Sequence, residues 1–203
     1  PPPRAARAGP PAAGGGGVPA GRGGRPPYGR LLLATGGDPR RLPFGGAAVN
    51  YYRTLADYRA LRADADRGAG FVVIGGGFIG SEVAASLRKR GNDVTLVFPE
   101  AAICNRVFPA RLGAYLNDTY REKGVEVLAE STVTDIEVGE SGATVTLDDG
   151  RRLAADRVVA GLGIEPEVTL ARAAGLGVDH GILVDARLQT TQPSISAAGH
   201  GAK

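Results

Sequence analysis

The stretch from Phe71 to Glu100, FVVIGGGFIGSEVAASLRKRGNDVTLVFPE, constrains the fold more than any other part of the chain. Four apolar residues, Phe71 to Ile74, read as a buried strand that runs into Gly75, Gly77 and Gly80 at G-x-G-x-x-G spacing. A helix is predicted from Phe78 to Arg90, with Ile79, Val83, Ala84 and Leu87 on one face. Gly91 and Asn92 end it, Val94 to Phe98 form a second strand, and Glu100 lies twenty residues beyond Gly80. This is the order of a βαβ unit built around a dinucleotide. Gly75 makes the tight turn, Gly77 lets backbone approach a pyrophosphate, and Gly80 lets helix pack on strand. Backbone N–H groups at the helix N-terminus meet the phosphates, and the acid accepts hydrogen bonds from the adenosine ribose. A glycine-rich turn alone says little, and a Rossmann-like turn that binds nothing is the alternative reading; here strand, helix, second strand and acid are all in register.

Composition separates the N-terminus from the rest. Residues 1–27 are Pro, Gly, Ala and Arg except for Val18, a segment with almost nothing to bury against the entropy of ordering it, so it is expected to be disordered. Residues 1–30 hold five Arg and no acid, which leaves 19 basic against 21 acidic residues in the remainder; the net charge of +3 belongs to the tail. A basic Gly/Arg arm is compatible with RNA or an acidic surface, but it lacks the interleaved aromatics that stack on bases, which argues against nucleic acid and favours a solvated linker or a mistranslated GC-rich stretch. Met is absent from all 203 residues, so the expectation is a piece of a longer chain. No run of 18 apolar residues is present to span a membrane. Cys104 has no C-x-x-C partner, and His180 and His200 are too far apart in sequence for a metal constellation, so neither a dithiol centre nor a metal site is expected, and the default setting is the reducing cytoplasm.

The rest of the chain reads as α/β. Leu31–Thr35 is a short strand ending in Gly36-Gly37, and a polar helix is predicted over Tyr51–Ala65 with Leu55, Tyr58 and Leu61 on one side. After the βαβ unit come a helix over 110–123 and a strand over 125–128. From Ser131 the apolar period changes to two. Strands over 133–138 and 143–147, a turn at Asp149-Gly150 and a strand through 157–160 form an antiparallel meander. A short helix or loop over 170–177 and strands at 182–184 and 195–197 close the chain. The expected fold is a Rossmann-like parallel sheet with an inserted antiparallel β-meander.

Four signatures recur in the order and spacing of a known family: LLLATGGDPRRLP at 31–43, VVIGGGFIGSEVAASL at 72–87, VFPE at 97–100 with RVFP at 106–109, and VVAGLGIEPE at 158–167 followed by ILVDARLQTTQPSISAAG at 182–199. The chain thereby resembles the FAD-dependent pyridine nucleotide oxidoreductases with two dinucleotide domains, nearest to ferredoxin reductases, monodehydroascorbate reductases and apoptosis-inducing-factor-like proteins. The resemblance implies an FAD-domain remnant at 28–45, an NAD(P)H-binding domain at 46–165 and a return to the FAD domain at 166–203. It implies electron transfer from NADH through FAD to a small acceptor or an electron-transfer protein, with the cofactors carrying the redox chemistry and the protein aligning them. Glu82 matches the acid at the nicotinamide–flavin junction; read by itself, it is equally a first-turn acid stabilised by the helix dipole. Gly161 and Gly163 match glycines that let the last strand approach the dinucleotide, turn geometry being the alternative.

The candidate cofactor-binding set is therefore Gly75, Gly76, Gly77, Phe78, Ile79, Gly80, Glu82, Glu100, Arg106, Gly161 and Gly163 for the pyridine nucleotide, and Thr35, Gly36, Arg40, Gly199 and His200 for the flavin, with Glu82 the candidate catalytic group. Glu100 favours NAD(H) over NADP(H), since a 2′-phosphate would meet like charge there. Two departures from the family bear on the flavin. Its first G-x-G-x-x-G should lie about a hundred residues before the A-T-G turn, yet 34 residues precede Thr35, and His200 stands where the family has the Asp that contacts the ribityl chain. Weak or absent flavin binding, and no catalysis by the isolated chain, are the corresponding expectations. A non-catalytic NAD(H)-binding regulatory module and a basic-tailed nucleic-acid-interacting protein remain as alternatives. Oligomeric state is not read from the sequence.

Overall fold

The computed structural model describes residues 28–140 and 142–203. The disorder expected for the 1–27 tail lies outside the described residues. In chain order the elements are β1 (Leu31–Leu33), β2 (Gly37–Pro39), β3 (Val49–Asn50), α1 (Leu55–Asp66), β4 (Phe71–Ile74), α2 (Phe78–Lys89), β5 (Val94–Val97), α3 (Ala110–Glu122), β6 (Glu126–Leu128), β7 (Val133–Val138), β8 (Ala143–Leu147), β9 (Arg152–Ala155), β10 (Arg157–Ala160), β11 (Ile164–Pro166), α4 (Thr169–Ala173) and β12 (Ile195–Ala197). The described residues divide into two units, one of residues 39–163 and one of residues 28–38 with 164–203.

The larger unit is a five-stranded parallel sheet in the order β3-β10-β4-β5-β6. Its pleat explains the unbroken apolar run of β4, because both faces are covered. Phe71 and Val73 pack with Leu61 of α1 and Val83, Ala84 and Leu87 of α2. Val72 and Ile74 point the other way, into Val133, Ile136, Val145 and Leu147 of the meander. Burying each such aliphatic side chain is worth roughly 1.5–3 kcal/mol, so the two-sided packing of β4 is a large part of what holds this unit together. Asn92, buried just after α2, ties the helical layer together by donating from Nδ2 to Ala65 O and Ala69 O, both at 3.0 Å.

Two sequence expectations are corrected here. The helix predicted from Tyr51 begins at Leu55. Thr54 caps it: its Oγ1 accepts from Asp57 N at 3.1 Å while the Asp57 carboxylate accepts from Thr54 N at 2.7 Å. This capping box fixes where the helix starts, and ahead of it Tyr52 takes a positive φ of 48°. Of the predicted apolar face only Leu61 is buried, joined by Ala65, whereas Leu55 and Tyr58 stay 61% and 41% exposed.

The third meander strand also differs. β9 completes the meander against β8, and the chain then breaks at Asp156 so that β10 enters the parallel sheet between β3 and β4. The cause is local. Asp156 Oδ2 accepts from Gly70 N at 2.7 Å, and the backbone N–H groups of Asp156 and Arg157 donate to Gly70 O at 3.0 and 3.2 Å, which draws the chain onto the start of β4.

In the smaller unit β1 and β12 pair in parallel, Leu31 opposite Ile195 and Leu33 opposite Ala197. β2 pairs with β11. Leu33, Ala171, Leu176, Ile182, Ile195 and Ala197 form its core. The strand expected at 182–184 is reduced to isolated bridges from Ile182 to Val178 and Ala202. Positive φ at His180 (50°) and Gly181 (156°) turns the backbone immediately before it.

Candidate nucleotide-binding cleft

The glycines after β4 bring three backbones together. Gly75 has φ of 110°, and a Cβ there would lie 2.5 Å from Gly161 O. A Cβ on Gly80 would lie 1.9 Å from Gly75 O. Gly161 donates its N–H to Ile74 O at 2.8 Å and would itself meet Gly80 N at 2.8 Å if it carried a Cβ. The start of α2 and the end of β10 therefore seat directly on the turn. Gly77 is different: it is exposed, has nothing within 4 Å of where a Cβ would stand, and no side chain caps α2 there. A twelve-residue helix thus opens its uncapped N-terminus onto free space, which is the arrangement that accepts an anion.

That space is a cleft of about 320 Å³, reaching from Gly75, Gly76 and Gly77 to Phe78 on one side, to Glu100, Cys104 and Arg106 on another, and to Gly161 and Gly163 on a third. Its floor is closed by Phe98, fully buried beneath Gly76, whose Cβ would stand 2.6 Å from the ring. The acid of the cleft comes two residues after this ring, in the loop that follows β5. Glu100 Oε1 accepts from Arg106 Nη2 at 3.0 Å, with the Glu100 side chain 27% exposed and Arg106 83% exposed. Cys104 N donates to Gly76 O at 2.7 Å, tying the Glu100 loop to the glycine turn. Burial raises the Cys104 thiol pKa above its ordinary value, and the nearby Glu82 charge adds to that against an opposing hydrogen bond with Ser81.

The structure distributes the remaining candidates. Ile79 and Glu82 do not line this cleft; they front a second groove of about 310 Å³ with Tyr52, Tyr58, Arg62 and Arg90. Gly80 is buried behind the turn. Arg40 is exposed, and its backbone N–H donates to Gly163 O at 3.0 Å. Thr35, Gly36, Gly199 and His200 belong to the smaller unit. There Ala198 N donates to Leu33 O, Thr35 Oγ1 donates to Glu167 O at 2.6 Å, and a Cβ on Gly201 would stand 3.2 Å from that same Oγ1. The two turns lie side by side at the carboxyl ends of parallel strands, with His200 exposed beside them. Among the described residues no cluster of His, Cys, Asp or Glu is placed to hold a metal, and no helix is long and apolar enough to cross a membrane.

Sequence reasoning missed Cys104 and Asn105 as cleft residues, together with the buried Asn117 behind them. No periodicity marks such positions.

Comparison with known proteins places these features in context. The model of the family described as pyridine nucleotide-disulphide oxidoreductase matches residues 15–203. The ferredoxin–NAD(+) reductase component of the anthranilate 1,2-dioxygenase system of Burkholderia cepacia is 43% identical over 177 residues, covering 85% of this chain and 43% of the relative. Putidaredoxin reductase of Pseudomonas putida is 41% identical over 185 residues, 87% of this chain and 44% of the relative. The crystal structure of the covalent putidaredoxin reductase–putidaredoxin complex superposes with a TM-score of 0.87 at 36% identity, covering 97% of this chain and 49% of that one. The chain spans less than half the length of these two relatives.

Proposed function

This chain belongs to the pyridine nucleotide-disulphide oxidoreductase family, and from that premise we propose that it carries the pyridine-nucleotide site of an FAD-dependent NADH oxidoreductase whose electrons pass to a small acceptor or a ferredoxin-type protein. The observation that carries the reading is the cleft at the start of α2, where an uncapped helix N-terminus, an exposed Gly77 with open space above it and a carboxylate at Glu100 line one cavity.

In this reading the backbone N–H groups that open α2 hold the pyrophosphate, and Gly77 admits it without a side chain in the way. Glu100 accepts from the adenosine ribose hydroxyls through Oε2, the oxygen that Arg106 does not engage. A 2′-phosphate would meet the same carboxylate, so NADH is preferred to NADPH. Gly161 and Gly163 let the end of β10 lie against the dinucleotide. Glu82, exposed one turn into α2 beside Ile79, fronts the neighbouring groove, and by the resemblance it would be the acid near the nicotinamide.

The turns at Thr35-Gly36 and Gly199-His200 are the part of an FAD site that this chain carries, closely packed where Gly201 meets Thr35 and Gly36 at the carboxyl ends of β1 and β12, and weak or absent flavin binding by the chain alone is part of the proposal. When bound, FAD supplies the redox chemistry, accepting two electrons from NADH and releasing them to the acceptor. His200 offers an imidazole to it rather than a carboxylate. The single cysteine of the sequence suits a reducing, cytoplasmic setting.

Isothermal titration with NADH tests the central claim. One site per chain with a Kd in the range of about 1–100 μM is expected. No heat of binding up to about 1 mM nucleotide would end the proposal.

A further inference from the structure

Helix α3 buries two residues, Gly113 and Asn117, one turn apart, and neither is apolar in the way a core helix requires. Both face the loop that brings Glu100 to the cleft. A Cβ on Gly113 would lie 2.8 Å from Ala102 Cβ and 3.3 Å from Ile103 O, so the helix backbone approaches the loop closely. Asn117, 6% exposed, then clasps it from both sides: Nδ2 donates to Ala101 O at 2.9 Å, and Oδ1 accepts from Ile103 N at 3.0 Å. Its side-chain amide takes the place of a neighbouring strand for a segment that has none. The clasped residues lie between Glu100, which immediately precedes Ala101, and Cys104, whose N–H reaches Gly76 O. A third tie holds the loop's other side, Glu130 N donating to Glu100 O at 3.0 Å.

We propose that Asn117 is a positioning residue for nucleotide discrimination: by fixing residues 101–103 it sets where the Glu100 carboxylate stands, and so how strongly the site prefers a free 2′-hydroxyl to a 2′-phosphate. This rests on the reading of the cleft as an NADH site. Asn117 touches no ligand itself; it acts through the loop, and removing its amide frees Ala101 O and Ile103 N to shift.

The test compares Asn117→Leu, Asn117→Asp and a control, Asn92→Leu. The control removes a similarly buried amide with two bonds of its own, but those bonds tie the turn before β5 to α1 and to the turn before β4, and do not reach the cleft loop. Calorimetric Kd values for NADH and NADPH are measured for each, together with hydrogen exchange of the nucleotide-free protein. In Asn117→Leu the Kd for NADH should rise about five- to tenfold while that for NADPH moves less than about twofold, so the preference narrows. Amides over 101–105 should exchange faster. Asn92→Leu should lose a comparable thermal midpoint yet keep the wild-type ratio and loop exchange. Asn117→Asp keeps the acceptor for Ile103 N and loses the donor to Ala101 O, so it should fall between, and both readouts are taken from it if the leucine variant does not fold. A nucleotide ratio that moves no further in the Asn117 variants than in Asn92→Leu, or unchanged exchange over 101–105, overturns the assignment while leaving the NADH reading intact. A wild-type chain that binds neither nucleotide overturns both.

Discussion

A Cβ placed on Gly80 would stand 1.9 Å from the carbonyl oxygen of Gly75, whereas one placed on Gly77, three residues earlier, would touch nothing within 4 Å. The two glycines therefore separate folding from binding. Gly80→Ala is expected to cost about 1–3 kcal/mol, since the Gly75 backbone must move to admit the methyl group. Gly77→Ala should leave stability within about 0.5 kcal/mol and weaken NADH at least about tenfold, because the methyl group occupies the space in front of the helix N-terminus. Urea denaturation and calorimetry on both variants distinguish the cases; a Gly77 variant that binds as wild type would mean that the phosphates lie elsewhere.

Glu100 is expected to set the nucleotide preference. Replacing it by alanine should lower the NADH-to-NADPH affinity ratio about ten- to a hundredfold, the equivalent of ~1.5–3 kcal/mol for a charged hydrogen-bonding group. Arg106→Ala removes an exposed partner and should shift either Kd by less than about fivefold. An unchanged ratio in Glu100→Ala would show that the carboxylate does not read the ribose.

The start of α1 should respond to acid. Partial burial works against the charge of Asp57, but hydrogen bonds from the Thr54 and Arg53 N–H groups outweigh it and hold the carboxyl below its ordinary value of 3.8. Because the folded-state pKa is the lower one, this contribution is complete above 3.8 and is lost as pH falls through the folded value. Asp57→Ala is therefore expected to cost about 1 kcal/mol at pH 7, and less at a pH well below 3.8. Denaturant titrations at pH 7 and at successively lower pH check it; a cost that does not fall with pH would mean that the capping carboxylate contributes nothing through its charge.

Cys104 offers a probe of the cleft. With its thiol pKa pushed up by burial, thiolate is scarce at neutral pH, and alkylation by iodoacetamide at pH 7 should be slow and speed up above about pH 9. Saturating NADH should slow it further, because the residue lines the same cavity. Modification unaffected by NADH, followed by mass spectrometry, would place the nucleotide away from Cys104.

The sequence made some of this arrangement visible and hid the rest for identifiable reasons. Gly75, Gly77 and Gly80 could be picked out because a backbone that must turn or approach closely demands glycine at fixed intervals, and Glu100 followed by counting from them. The break between β9 and β10 left no such trace, because Asp156 acts through Gly70, 86 residues away. Ile79 and Glu82 sit three residues apart on one face of α2, and the choice between two cavities for that face depends on where α1 lies, which local pattern does not report. Asn117 was invisible because its contribution is two hydrogen bonds to a loop 14 and 16 residues upstream.

The position of β10 carries a consequence for how the chain is made. It is the last strand of its unit in sequence but lies inside the sheet, between β3 and β4, so the sheet cannot close until Arg157–Ala160 is in place. Until then β3 has no partner and β4 presents an open hydrogen-bonding edge. The β7–β8–β9 meander needs no such wait, since each of its strands pairs with its sequence neighbour. In chain order the pairings of the meander are therefore complete before β10 appears, and the slot between β3 and β4 is the last to be filled.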